Sequence, residues 1–164
     1  VDRAAELFRN HHDALYRYLV RLSGDPDFAA DAAQEAFVRL LDRAPVGPTE
    51  RAWLFKVGTN YVLEGRRTAA RRGRLLDGRG ERTMADAPRD PHAGVEADER
   101  RRIVMAALAR LNDKERVAVL MREEGFSHRE IAEAVGTTTG SVGSLLARAL
   151  QRLARETTFD RDAL

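Results

Sequence analysis

The sequence predicts an all-α protein: two small helical domains joined by a flexible linker, the second of them a helix-turn-helix domain. Three observations lead there. No stretch alternates β-branched and polar residues as a half-buried strand requires. Apolar residues recur instead at three- and four-residue spacing, and each run is bounded by residues that start or stop helices. Between 73 and 98 this periodicity gives way to Gly, Pro, Asp and Arg, as in Gly78-Arg79-Gly80, Ala87-Pro88 and Asp90-Pro91, the composition of a flexible linker. The domains are therefore placed at 1–72 and 99–156, with a frayed tail at 157–164.

The elements of the first half follow in order. A helix over 3–22 carries Phe8, Leu15, Leu19 and Leu22 on one face, and Ser23-Gly24 stops it. Asp25 is the N-cap of the next helix, with Pro26 at its first position, where the missing N–H costs nothing. Its apolar stripe is Ala29, Ala33, Ala36, Phe37, Leu40 and Leu41. Ala44-Pro45-Val46-Gly47-Pro48 forms a stiff loop. A third helix starts near Thr49, carries Trp53, Leu54, Val57, Tyr61 and Val62, and runs into Arg66-Arg67.

Helical pattern resumes after the linker with Ile103, Ala107, Leu108 and Leu111. Asn112 followed by Glu115 is a capping box that opens a helix bearing Val117, Leu120 and Met121, and Gly125 ends it. Ser127 and Glu130 make a second capping box, opening a short helix with Ile131, Ala132 and Val135 that stops at Gly136. The last helix covers 138–155, with Val142, Leu145, Leu146, Leu150 and Leu153 apolar.

The segment from His128 to Arg148 has helix-turn-helix spacing. Ala132 is small where a second helix must cross closely, and Gly136 supplies the left-handed backbone of the turn. Val142 and Leu145 then pin the second helix, which presents Thr137, Thr138, Thr139, Ser141, Ser144 and Arg148 to a major groove. Thr and Ser near the helix start can donate to phosphates beside free backbone N–H groups. The plainer reading, a helical hairpin in a bundle, stays open beside it, and the cap and the small residue together favour DNA binding.

Composition narrows the function. The chain has 164 residues, 43% of them apolar, enough for packed cores. It has no cysteine, which excludes disulfides and thiolate chemistry and agrees with a reducing, cytoplasmic setting. No apolar run reaches the length of a membrane span or a signal sequence. The net charge is only +2, yet Lys56 and Lys114 are the sole lysines, so the positive charge is nearly all arginine, a side chain suited to phosphates and base edges. Those arginines cluster. Arg66, Arg67, Arg71, Arg72 and Arg74 crowd one helix end with Glu64 the nearest acid, more cation than a helix dipole alone calls for. Upstream on the same helix, Asn60 and Tyr61 add an amide and an aromatic, a combination suited to unpaired DNA. Trp53, beside Leu54 at helical spacing, reads as core.

Here the residues resemble a known family. Asp27-Phe28-Ala29-Ala30-Asp31-Ala32-Ala33-Gln34-Glu35-Ala36-Phe37 resembles the polymerase-binding helix of the extracytoplasmic-function (ECF) group of sigma factors. Arg51-Ala52-Trp53-Leu54-Phe55 through Asn60, followed by Arg66-Arg67, is similar to the family's promoter-melting helix. The stretch from Leu111 to Leu153, with Glu130-Ile131-Ala132 and Gly140-Ser141-Val142, resembles its domain for the minus-thirty-five element. The resemblance implies a transcription initiation factor that binds core RNA polymerase and directs it to promoter DNA. It implies that Asp31, Gln34, Glu35 and Phe37 dock on the clamp helices of the polymerase, and that Asn60, Tyr61, Arg66, Arg67 and Arg71 meet the minus-ten element. The loop over 45–49 matches the one that captures a flipped base. It implies that Thr138, Thr139, Ser141, Ser144 and Arg148 face the minus-thirty-five element. An anti-sigma partner is a further implication.

The chain departs from the family where Gly143 and Leu145 stand in place of basic residues, so this recognition helix has fewer phosphate anchors. Enzyme chemistry finds no footing. His11-His12-Asp13 sets adjacent imidazoles about 100° apart on a helix, unable to share a metal. No zinc-protease, phosphate-loop or nucleophile-elbow motif is present, and no catalytic group, metal site or cofactor is expected. A helix-turn-helix regulator that does not dock on polymerase stays open. It would share the second half but have no use for the Asp31-Gln34-Glu35 surface or the arginine cluster.

Overall fold

A computed structural model describes residues 2–43, 50–75 and 94–161, and among them every regular element is an α-helix. The chain divides into two compact units, Val1–Ala87 and Pro88–Leu164.

The first unit packs α1 (Arg3–Ser23), α2 (Pro26–Asp42) and α3 (Glu50–Leu75) against one another. Local chemistry sets the corner between α1 and α2. Gly24 adopts a left-handed φ of 71° and its N–H reaches the carbonyl of Val20 at 2.8 Å. The Asp25 carboxylate then accepts from the N–H groups of Asp27 and Phe28 at 3.0 and 3.2 Å. The buried face of α2 is largely alanine (Ala29, Ala32, Ala33 and Ala36), which lets larger side chains from its neighbours fill the centre: Leu15, Tyr18, Leu19, Leu22, Leu54, Phe55 and Val62. Two glycines in α3 serve the same purpose. A Cβ on Gly58 would press on Leu19 at 3.2 Å, and one on Gly65 would run into the Phe28 ring. One polar pair lies within this core: the hydroxyls of Tyr18 and Thr59 are 2.7 Å apart, each satisfying the other.

The second unit is formed by α4 (Val95–Arg110), α5 (Asp113–Glu123), α6 (His128–Val135) and α7 (Thr139–Arg161). Both expected capping boxes are present, Asn112 with Glu115 and Ser127 with Glu130. Glu115 is buried and also receives Arg152 of α7 at 3.3 Å, so one carboxylate caps α5 and holds α7. Beside it Arg116, also buried, donates to the carbonyl oxygens of Leu108, Ala109 and Leu111, closing the exposed C-terminal end of α4. Val117, Met121, Ile131, Val142 and Ala149 complete the core.

Several expectations give way. Leu41 and Leu150, assigned to apolar stripes, are 68% and 57% exposed, because each sits at the rim of its stripe where no neighbouring helix reaches. Ala149 takes the buried place beside Leu150. The helix expected to end at Arg155 continues to Arg161. No glycine or proline interrupts 144–161, and the Thr157 hydroxyl bonds the Leu153 carbonyl at 3.0 Å, so the helix has no stop signal there. Likewise α3 extends to Leu75 and α4 begins at Val95. The loop over 45–49 and most of the linker stretch lie outside the described residues.

Candidate nucleic-acid and polymerase surfaces

On α2, Asp31 and Gln34 are exposed, and Glu35 is half-buried, accepting from Arg39 at 2.7 Å one turn on. Val38 and Leu41 continue this outer face as exposed apolar groups. Phe37 is turned inward instead. It is 9% exposed and its ring lies 5.0 Å from Phe8 and 6.1 Å from His12. Those two rings stack on each other at 4.4 Å along α1.

On α3, Asn60, Arg67 and Arg71 are exposed and share one face at helical spacing. Lys56, one turn before Asn60, is exposed on the same face and was missed in the sequence. Its spacing of four from Asn60 is the signal in the sequence that sets it on this face. Trp53 is half-buried on this side rather than sealed in the core. Tyr61 is half-buried with its ring 5.5 Å from Phe28. Arg66 is set apart from Arg67: it is half-buried and donates to the Leu22 carbonyl at 3.4 Å, tying α3 to the end of α1. At the other end of α3, buried Glu50 accepts from Arg3 Nε at 3.1 Å. Nearby, partial burial and then the Arg51 charge hold the His11 imidazole below its ordinary pKa, opposed in part by Glu50.

In the second unit α6 packs on α7 through the turn at Gly136, whose φ is 70°. Ala132 is buried at the crossing, as the helix-turn-helix requires. Thr138, Thr139, Ser144 and Arg148 are exposed. Ser141 is occupied: its hydroxyl lies 2.7 Å from that of Thr137, accepts from Thr138 at 3.0 Å and donates to the Thr138 carbonyl at 2.8 Å. It knits the start of α7 together rather than pointing outward. Leu145 is buried, so it serves packing, whereas Gly143 is exposed with open space around it. Among the described residues no cluster of His, Asp or Glu could hold a metal ion, and no helix is long and apolar enough to cross a membrane.

A three-helix unit followed by a helix-turn-helix unit defines the class as a two-domain helical DNA-binding protein. The families described as Sigma-70 region 2 and Sigma-70, region 4 match residues 7–72 and 101–153. The ECF RNA polymerase sigma factor SigL of Mycobacterium tuberculosis is 35% identical over 153 residues, spanning 90% of this chain and 84% of the relative. The RNA polymerase sigma-E factor of Streptomyces coelicolor is 35% identical over 152 residues, covering 92% and 84%. In fold, the chain is similar to the sigma factor RpoE of Bartonella quintana, solved in complex with the anti-sigma factor NepR, with a TM-score of 0.80, 23% identity and coverage of 98% and 99%. The chain belongs to the ECF RNA polymerase sigma factors. It is a transcription initiation factor that directs RNA polymerase to promoters.

Proposed function

We propose that the two units divide the work of promoter engagement. The outer face of α2, with Asp31, Gln34 and Glu35 and the flanking Val38 and Leu41, docks on core polymerase. Phe37 supports that face from beneath. The α3 stripe of Lys56, Asn60, Arg67 and Arg71 tracks the unwound minus-ten strand: the cations follow phosphates, and Asn60 offers both a donor and an acceptor to an unpaired base. Tyr61 and Arg66 shape that surface from its inner edge. Unit 2 reads the duplex minus-thirty-five element through Thr138, Thr139, Ser144 and Arg148, with Ser141 closing the helix start. The protein acts by binding and not by catalysis, in the cytoplasm where polymerase and promoters are.

The observation that carries this reading is the α3 stripe. Four polar side chains capable of DNA contact stand exposed on one helix face of the same unit that exposes Asp31 and Gln34. Because each surface contributes binding, joint engagement raises overall affinity beyond either alone. An anti-sigma partner covering these faces would hold the factor inactive.

The test is capture of the full chain by purified bacterial core RNA polymerase, repeated with Gln34→Ala and Glu35→Ala. Capture that weakens in the variants supports the docking face. Equal capture by all three moves docking elsewhere. No capture of the folded wild-type chain overturns the reading and leaves a helix-turn-helix DNA binder.

A further inference from the structure

We infer that the duplex-reading surface of α7 runs two turns beyond Arg148, with Gln151 a further specificity-determining residue and Arg155 a further phosphate anchor. This rests on the assignment of unit 2 to duplex DNA given above.

Ser144, Arg148, Gln151 and Arg155 follow one another at spacings of four, three and four, so they form one stripe along α7, and all four are exposed. Their neighbours on the helix are committed elsewhere. Arg152 is held by Glu115 at 3.3 Å, and Glu156 by Arg110 at 3.3 Å. Among the described residues no hydrogen bond or ion pair engages Arg148, Gln151 or Arg155. Arg148, Gln151 and Arg155 are thus long polar side chains with no partner among the described residues, beside Arg152 and Glu156, which have one.

The opening turns of α7 have the opposite character. Gly140, Gly143 and Ala147 are exposed there, and a Cβ on either glycine would meet nothing within 4 Å. Such a surface lets the helix lie deep in a groove, but it has only hydroxyls to offer a base edge. Bidentate reading falls to the first side chains long enough for it. Arg148 matches the paired acceptors of guanine, and Gln151 matches the acceptor and donor of adenine. Ser144 and Gln151 are about 10 Å apart along the helix axis. The major groove is about 12 Å wide, so both fall within it. Arg155, one turn on, then meets the phosphates of the groove wall.

The test uses holoenzyme assembled from core polymerase and the full chain, presented with promoters randomised across the upstream duplex element. Wild type is compared with Gln151→Ala, Gln151→Glu and Arg155→Ala, all changes at exposed positions that leave the core intact. Gln151→Ala should flatten the preference at one adenine position, losing about tenfold to a hundredfold discrimination there, with other positions unchanged. Gln151→Glu should turn that position toward cytosine, whose amino group donates to a carboxylate. Arg155→Ala should keep the preferences and lower the salt slope of binding by about 0.9. A wild-type preference that Gln151→Ala and Gln151→Glu reproduce at every position overturns the proposal while leaving duplex reading in place. Wild-type holoenzyme with no upstream preference at all overturns the duplex assignment of unit 2, and this proposal with it.

Discussion

The Arg116 guanidinium donates from Nε to the carbonyl oxygen of Leu108 at 2.7 Å, so a side chain of α5 completes the end of α4. Its Nη2 reaches the Ala109 and Leu111 carbonyls at 3.2 and 2.8 Å, and Asp113 sits 3.6 Å from Nη1. The charge is buried with three carbonyl oxygens and the Asp113 carboxylate around it, although no hydrogen bond reaches Nη1. Arg116→Ala removes the guanidinium donor from all three carbonyls, leaving Leu108 only the Leu111 N–H at 3.2 Å, and should cost about 2–3 kcal/mol. Urea unfolding followed separately for the two units checks it: unit 2 should unfold at lower urea with unit 1 unmoved. An unchanged unit 2 transition would show that water replaces the guanidinium without loss.

Gly65 tests whether propensity or packing governs α3. In an exposed helix, Gly→Ala stabilises by about 1 kcal/mol. Here the added Cβ runs into the Phe28 ring, which is also in contact with Tyr61. Gly65→Ala should therefore destabilise unit 1 by about 1–3 kcal/mol, and Phe28→Leu in the same chain should recover part of it. Thermal melts of the single and double variants decide the sign.

Arg66 and Arg67 are neighbours in sequence with different surroundings, and their alanine variants should separate. Arg67 is exposed, so Arg67→Ala should lower the salt slope of promoter binding by about 0.7, the single-strand value, with stability intact. Arg66 holds the Leu22 carbonyl at 3.4 Å, so Arg66→Ala should also lower the melting temperature of unit 1. Salt titrations of holoenzyme binding paired with melts give both quantities. Identical behaviour of the two variants would erase the distinction the structure draws.

His11 gives unit 1 a pH dependence of defined sign. Its pKa lies below the ordinary 6.5, because burial and then Arg51 disfavour the imidazolium. Near that value the unfolded chain binds more protons than the folded one, so stability rises with pH there. The His11 contribution is fully present above about pH 6.5 and is lost as pH falls below it. His11→Asn should remove this dependence. Urea midpoints of wild type and variant should diverge as pH falls from neutral toward the folded-state pKa, and parallel curves would refute the assignment.

What was legible in the sequence was what is local. Asp25 with Pro26, Asn112 with Glu115, Ser127 with Glu130 and the turn at Gly136 all stand where the residues placed them, because a cap needs only partners within three or four positions. Periodicity likewise found the buried faces through Leu15, Leu19, Ala33, Ile131 and Val142. It misjudged the rims: Leu41 and Leu150 continue their stripes in sequence, but no neighbouring helix reaches them.

The sequence by itself determined the helices, those stops that a cap or a glycine sets, the helix-turn-helix and the family, since each depends on residue types at short, fixed spacings. Tertiary structure decided the occupation of each polar group. Thr59 is sealed in the core because Tyr18, 41 residues away, supplies its partner. Arg66 is tethered while Arg67 is exposed, Ser141 is closed on its own helix, and Gln151 stands out beside a pinned Arg152. Periodicity tells which way a side chain leaves its helix. Whether it then meets a carbonyl, another helix or water is set by how the helices cross, which only the folded chain defines.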